Sequence, residues 1–160
     1  PAAAGTLIKA EVAETGVKAI AAKDGITAIN IKSSRMLLAY GFLRRIFEVF
    51  EAFKTPIDMI TTSEVAVSVT IDDLSHLDQI VEELRRFGTV EVDPNQAIIC
   101  VVGNQVAETK GSISAVMDSL VDIPIRMVSF GGSKHNVSIL VDAQHKVQAL
   151  RSLNEGVFTW

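Results

Sequence analysis

The chain has 160 residues, of which 48% are hydrophobic and 21% are charged, and its formal net charge is -4. This composition excludes intrinsic disorder, and the acidic balance argues against a nucleic-acid-binding surface. The single Cys100 excludes an intrachain disulfide and a zinc site built from cysteines, and the three histidines are too scattered to suggest another metal site. No apolar run approaches the roughly 18 residues that span a bilayer, and the start is no signal peptide, so we expect a cytoplasmic protein with no membrane contact. Because the chain does not begin with Met, we also expect it to be cut from a longer protein.

Periodic patterns in the first half of the chain predict two helices and four strands. Apolar residues recur at helical spacing over 41–53 and again over 77–87, where Ser75 with Asp78 predicts the N-cap. Strict alternation of apolar and small polar residues predicts a half-buried strand over 65–71. The other strands are predicted at 26–31, 57–62 and 89–92, followed by a turn at Asp93-Pro94-Asn95. The resulting βαββαβ order is that of the ferredoxin-like fold.

The second half repeats this pattern about seventy positions later. Gly41-Phe42-Leu43 is matched by Gly111-Ser112-Ile113 at the start of a helical pattern, and Val67-Ser68-Val69 by Val137-Ser138-Ile139. The predicted elements are a strand at 97–102, a helix at 111–120, strands at 125–130 and 135–141, and a helix from Asp142 to about Leu153.

Too few residues follow this last helix for a full fourth strand. We therefore predict that the strand-like segment 17–24 completes the second sheet, since an unpaired edge would otherwise be exposed. The predicted fold class is α+β, with two ferredoxin-like βαββαβ modules. The first module, 25–94, is then inserted in the second, which comprises 17–24 and 95–160.

Two polar clusters in the first module are candidates for a binding site. The loop 32–40 runs into Gly41, and a glycine at a helix start lets unpaired backbone N–H groups approach a carboxylate. Asp58 lies in an otherwise apolar predicted strand, and Glu64 follows in the next turn, so that each could hold an ammonium group. Two alternatives stay open: Gly41 could only relieve a tight turn, and Asp58 could face solvent. Together, however, the groups favour a free amino acid with one carboxylate and two ammonium groups, which is lysine.

Enzyme motifs are lacking in this sequence. It contains no Gly-x-x-x-x-Gly-Lys phosphate loop, no Gly-x-Ser-x-Gly elbow and no His-Glu-x-x-His pair. We therefore predict no catalytic residue, metal or cofactor in the chain. A stand-alone small enzyme on a ferredoxin-like fold is an alternative, but no nucleophile with a neighbouring base supports it.

Several stretches resemble the regulatory region of monofunctional, lysine-sensitive aspartokinases. They are Ile29-Asn30-Ile31, Met36, Gly41-Phe42-Leu43 and the run Ile57-Asp58-Met59-Ile60-Thr61-Thr62-Ser63-Glu64-Val65. The resemblance implies a tandem of ACT domains, the first inserted in the second, with residues 1–16 as the end of the connection from an N-terminal kinase domain. It implies that the intact enzyme phosphorylates aspartate with ATP and Mg, on the route to lysine, threonine and methionine. This piece, which lacks the kinase domain, is expected to be inactive alone.

The resemblance also implies a lysine-binding site between the first ACT modules of a homodimer, through which lysine acts as a feedback inhibitor. The residues that it implies for this site are Met36, Gly41, Phe42, Leu43, Ile57, Asp58, Thr62, Ser63 and Glu64. Ala39 stands where family members often have Ser, so one hydroxyl contact is expected to be missing. In the second module Arg126 or Met127 falls at the place of Asp58, and we expect no lysine site there. Two alternatives remain: threonine as the effector, and a constitutive dimerisation module without a ligand.

Overall fold

The computed structural model describes residues 16–33 and 40–158 of the chain. The structure is α+β, as predicted, and each predicted helix is present. In chain order the elements are β1 Gly16–Lys32, α1 Phe42–Ala52, β2 Ile60–Thr62, β3 Ala66–Ile71, α2 Leu77–Leu84, β4 Thr89–Asn104, α3 Ser112–Ser119, β5 Ile125–Ser129, β6 Asn136–Asp142, a 3-10 turn Ala143–His145 and α4 Lys146–Val157.

The six strands of the described residues form one antiparallel sheet in the order β2-β3-β1-β4-β6-β5. The second half of β1 pairs with β3 and with the start of β4, as in one ferredoxin-like unit. The first half of β1 pairs with the end of β4, with Ile20 opposite Val101 and Ala22 opposite Ile99. Beyond it lie β6 and then β5, which gives the second unit the same strand order as the first. Segment 17–24 therefore lies beside the end of β4.

Two strands are longer than predicted, because residues that normally break strands are accommodated as bulges. The segments 17–24 and 26–31 are one continuous strand, although Gly25 has a φ of 72°. The predicted turn at Asp93-Pro94-Asn95 is wrong, since β4 runs through it with Asn95 at a φ of 57°. The pairing register of β1 and β4 shifts on both sides of Ile26, so that each strand carries an extra residue at the crossing between the two units.

Smaller differences concern the ends of elements. Regular pairing in the predicted strand 57–62 begins only at Ile60. The predicted N-cap at Ser75 is wrong, because α2 begins after His76 and the Ser75 N–H instead donates to Asp73 Oδ1 at 2.9 Å. Asp142 does cap the turn before α4, since its carboxylate accepts from the Gln144 N–H at 2.9 Å.

Three hydrophobic clusters hold the sheet and helices together. One packs α1 and α2 against the inner side chains of β1 and β3, including Ile29, Ile31 and Val69. A second packs α3 and α4 against β4 and β6. The third contains Ala28, Ile98 and Leu140, which alternate with residues of the first two clusters and so lie on the opposite face of the sheet, together with Met59 and Met127.

Candidate functional site

The start of α1 offers backbone donors that no side chain among residues 16–33 and 40–158 caps. Gly41 precedes the helix in the left-handed conformation, with φ 78° and ψ 13°, and no side-chain cap hydrogen bond is made there. The first turn contains no acidic residue, so the positive end of the helix dipole is not offset locally. No atom of the described residues lies within 4 Å of a Cβ added at Gly41, which leaves space beside the backbone on that side. Phe42 is buried in the core while Leu43 is 39% exposed, so the hydrophobic packing of Phe42 fixes the helix start.

Asp58 lies in an irregular segment at the beginning of β2, not within a regular strand. The Asp58 N–H donates to the Thr70 carbonyl at 2.9 Å, and the Thr70 N–H donates to the Met59 carbonyl at 3.0 Å. Two successive residues thus oppose one residue of β3, which is the arrangement of a β-bulge. The bulge turns Met59 into the third hydrophobic cluster, and Ile57 packs against the first.

The Asp58 carboxylate is neither buried alone nor simply solvated. Its side chain is 24% exposed, and Oδ1 accepts from the Lys23 ammonium at 2.7 Å. The same ammonium lies 2.7 Å from Asp72 Oδ2, at the end of β3. These hydrogen bonds raise the pKa of Lys23 above its ordinary 10.5 and lower the pKa of Asp72 below 3.8, because the charged forms stabilise each other. Lys23 therefore joins two carboxylates, and the three groups carry one net negative charge.

The other predicted acidic residue, Glu64, lies at the far end of β2. Thr62, Ser63 and Glu64 are exposed, and the Ser63 N–H donates to the Ala66 carbonyl at 2.9 Å, which closes the turn into β3. This is also the end of the sheet where β1 finishes, because the Ser33 N–H donates to the Val65 carbonyl at 2.9 Å.

The topology places the predicted residues in two groups at opposite ends of β2. Helix α1 begins at the end where β1 finishes, as do Thr62 and its neighbours, and it runs back to the end where Asp58 lies. Asp58 and Thr62 are four residues apart, or about 13 Å along an extended chain. One protomer therefore does not bring Asp58 and the Thr62–Glu64 turn within reach of one free lysine. Met36 and Ala39, the remaining predicted positions, lie outside the described residues.

Sequence reasoning missed Lys23, the ion-pair partner of Asp58, and Asp72, which shares that lysine. Lys23 is 35 positions away in the chain and lies in a segment that the alternation pattern assigns only to a strand. The sequence repeat offers the one signal that could have pointed to Lys23, because the corresponding position seventy residues later also carries a charged residue, Asp93.

The second unit contains the same ion pair with the charges reversed. Arg126 lies at the register shift between Ile125 and Met127 in β5, as Asp58 precedes Met59. Its guanidinium pairs with Asp93, where β4 crosses between the units. Gly111 copies Gly41, with a φ of 81° and open space around its Cβ position. The second helix start thus resembles the first, but a cation stands where the first unit has a carboxylate.

Among residues 16–33 and 40–158, no three His, Cys, Asp or Glu side chains are arranged to hold a metal ion. Within the same residues, no helix is long and apolar enough to cross a membrane.

Comparison with known proteins gives consistent relatives. The ACT domain family model matches residues 99–157. The aspartokinase of Schizosaccharomyces pombe is 36% identical over 153 residues, which cover 92% of this chain and 30% of that protein. The chain thus spans about 30% of the length of this curated relative.

Solved structures agree with these sequence matches. A chain described as a C-terminal regulatory domain of aspartate kinase from Porphyromonas gingivalis W83 is 45% identical, with a TM-score of 0.80 over 88% of this chain and 97% of that one. Escherichia coli aspartokinase III, in complex with lysine and aspartate, is 28% identical, with a TM-score of 0.85 over 99% of this chain and 37% of that one. This chain belongs to the ACT-containing regulatory regions of the aspartokinases.

Proposed function

We propose that this chain is a feedback-regulatory region that binds free lysine between the first ACT modules of two protomers. The carrying observation is the pair of polar groups in the first unit, an uncapped helix start at Gly41 and the carboxylate of Asp58. The helix start suits the α-carboxylate of an amino acid, and Asp58 suits an ammonium group. The relative that was solved in complex with lysine supports the choice of ligand.

A two-fold interface explains why the two groups lie at opposite ends of β2. This strand is at one end of the strand order, so a second copy can approach its outer edge. If two β2 strands lie antiparallel about an axis near Ile60, Asp58 of one protomer lies beside Thr62 of its partner. Each of the two equivalent sites then combines the start of β2 from one copy with the Thr62–Glu64 turn and the helix start from the other. Met36, Leu43 and Ile57 are proposed to complete the walls.

The nested domain organisation belongs to the same proposal. Residues 25–94 form the first ACT module, and 17–24 with 95–160 form the second. The pairing of Ile20 with Val101 supports this division, because it places the early segment beside the second unit. Residues 1–16 would connect to the N-terminal kinase domain of the same chain.

Regulation follows if lysine binds one arrangement of the subunits better than another. A ligand shifts a conformational equilibrium only through its differential affinity for the two states. In the intact enzyme, lysine would thereby inhibit the transfer of phosphate from ATP to aspartate. The kinase chemistry, its Mg and its cytoplasmic location stay predictions for the whole protein, and this chain alone is expected to show no kinase activity.

Calorimetric titration of the 160-residue chain with each of the twenty amino acids tests the ligand. We expect heat from lysine, with one lysine bound per chain, because Arg126 takes the place of Asp58 in the second unit. Asp58→Asn should weaken lysine binding about thirtyfold, which corresponds to losing roughly 2 kcal/mol from a charge-assisted hydrogen bond. Asp122→Asn, an exposed aspartate in the second unit, is the control and should leave binding unchanged. Binding of threonine but not lysine, or of neither, would refute the assignment.

Sedimentation tests the shared interface. We expect a particle of about twice 17.3 kDa when lysine is present. A monomer saturated with lysine would contradict the interface, because one protomer does not gather the proposed contacts. A dimer that binds none of the twenty amino acids would instead favour a constitutive dimerisation module.

A further inference from the structure

The carboxylate assigned to the ligand already holds an ammonium group of the protein itself. Lys23 Nζ lies 2.7 Å from Asp58 Oδ1 and 2.7 Å from Asp72 Oδ2. A ligand ammonium that approaches Asp58 therefore meets a site with a cation of the same chemical type in place. At the Asp58 oxygen that Lys23 occupies, a ligand ammonium would be repelled by that of Lys23, so the two ammonium groups compete for this contact.

We propose that Lys23 is a tethered competitor that sets the affinity and the selectivity of the effector site, an inference that rests on the proposed function. When the site is empty, its ammonium neutralises Asp58. When lysine binds, the ligand ammonium takes over Asp58, and Lys23 keeps only Asp72. Asp72 thus lowers the free-energy cost of displacing Lys23 from Asp58, since Lys23 then loses one of its two partners and not both.

The exposure of the three side chains fits an exchangeable contact. Lys23 is 46% exposed, Asp72 is 39% exposed and Asp58 is 24% exposed. An ion pair that is accessible to water contributes little net free energy, so that a ligand can replace it without unfolding its surroundings. The long aliphatic stem of lysine also allows the ammonium to swing toward Asp72 while the backbone stays in β1.

Selectivity follows from the competition. An uncharged side chain could displace Lys23 only by leaving Asp58 without a cation in a partly desolvated place, which is unfavourable. A ligand with a side-chain ammonium replaces one charge-assisted hydrogen bond with another. Lys23 therefore penalises neutral amino acids more strongly than lysine.

The position of Lys23 suggests how occupancy could reach the second unit. Lys23 lies at the register shift of β1 where the strand crosses between the units, and the next residue, Asp24, pairs with Lys146 at the start of α4 at 2.7 Å. Lys23 thus forms an ion pair with the first unit, and Asp24 forms one with the second. Release of Lys23 from Asp58 breaks one of the ion pairs that hold the crossing strand to the first unit.

The test compares lysine dissociation constants by calorimetry for the wild type, Lys23→Met and a matched control. Lys23→Met removes the competitor and should tighten lysine binding about three- to fivefold, because the ligand then no longer has to displace one exposed ion pair. Arg126→Met removes the repeat-related ion pair to Asp93 at the other crossing and should leave the affinity unchanged. If both variants change the affinity alike, or if Lys23→Met weakens binding or leaves it unchanged, Lys23 is not a competitor.

A double-mutant cycle tests the role of Asp72. Asp72→Asn should weaken lysine binding at least fivefold in the wild type, because the displaced Lys23 then has no carboxylate to keep. In the Lys23→Met background the same change should matter less than twofold. Equal effects in both backgrounds would overturn the exchange.

NMR of the Lys23 side-chain amino group supplies a readout that a purely structural role would not move. Saturating lysine should shift the Nζ resonance of Lys23, while the Nζ resonance of Lys134, which pairs with Glu108 in the second unit, should stay in place. An unshifted Lys23 resonance at saturation overturns the proposal. Absence of lysine binding by both the wild type and Lys23→Met would overturn the proposed function itself, and with it the competitor. If the wild type and Lys23→Met bind lysine with equal dissociation constants, only the proposal that Lys23 competes with the ligand is overturned.

Discussion

The two repeat-related glycines at helix starts allow stability and binding to be separated by one pair of substitutions. Gly41 and Gly111 have φ values of 78° and 81°, and a Cβ at either position would meet nothing within 4 Å. Alanine at each position therefore causes no steric clash, and its cost is the left-handed backbone conformation alone. That cost is about 1–2 kcal/mol, reduced by the smaller conformational entropy of the unfolded chain, which leaves a net loss of about 1 kcal/mol.

We expect Gly41→Ala and Gly111→Ala to lower the free energy of unfolding by the same amount in the absence of lysine. Urea denaturation measures this directly, and a loss of about 1 kcal/mol corresponds to a fall of roughly 2–4 °C in Tm for a chain of this size.

Only Gly41→Ala should affect the stabilisation by lysine. In the proposed site, its methyl group would occupy the space through which the carboxylate of lysine is expected to approach the backbone N–H groups. At lysine one hundred times the wild-type dissociation constant, binding adds about 2.7 kcal/mol to the free energy of unfolding. A tenfold weaker Gly41→Ala variant would gain only about 1.4 kcal/mol at the same concentration, while Gly111→Ala keeps the full gain.

Two results would refute this reasoning. Equal gains from lysine in both variants would mean that the ligand does not contact the start of α1. A reduced gain in Gly111→Ala would mean that the second helix start also binds the effector, contrary to the expectation drawn from Arg126.

Two further predictions concern stability. Gly88→Ala should lower the free energy of unfolding by about 2–3 kcal/mol in urea denaturation, because its Cβ would lie 2.2 Å from the Lys32 carbonyl oxygen. Gly132→Ala is the control, since its Cβ would meet nothing within 4 Å, and it should change the free energy of unfolding by less than about 0.5 kcal/mol. Equal effects of the two substitutions would contradict the packing around Gly88. The pKa of Lys23 is raised above 10.5 and the pKa of Asp72 is lowered below 3.8. The stabilisation from their ion pair is therefore lost only when the pH rises above 10.5 or falls below 3.8. The difference in unfolding free energy between the wild type and Lys23→Met should therefore be constant from about pH 5 to 9 and shrink outside that range, and a dependence within it would contradict the pairing.

The helices and the inner strands could be predicted because their apolar periodicity is strong. The stripe over 41–53 and the alternation over 65–71 reappear in α1 and β3 with small changes at the ends. The continuity of β1 and β4 could not be predicted, because Gly25 and the sequence around Pro94 usually interrupt strands. Bulges at the crossing absorb these residues, and a bulge depends on the partner strand as much as on the local sequence.

The chemistry of the candidate site was only partly predictable, for a related reason. The sequence indicates Asp58 and Glu64 as charged residues on either side of a predicted strand, but it does not show which of them shares an end of the sheet with the start of α1. That placement depends on the parallel direction of β1 and β2, which is set by the crossover helix. The ion pair of Asp58 with Lys23 likewise depends on two strands that meet only through β3.

The reversed ion pairs distinguish the two halves of the repeat. At the crossing strands, Lys23 with Asp58 in the first unit corresponds to Asp93 with Arg126 in the second. Either order of charges can link a bulged edge segment to a crossing strand, so the link itself does not distinguish the units. The order decides what a ligand meets, because a carboxylate on the edge segment attracts an ammonium group and a guanidinium repels it. Under the proposed function, we therefore expect lysine recognition in the first unit alone, because a ligand ammonium can replace Lys23 at Asp58 but is repelled by Arg126 at the corresponding place in the second unit.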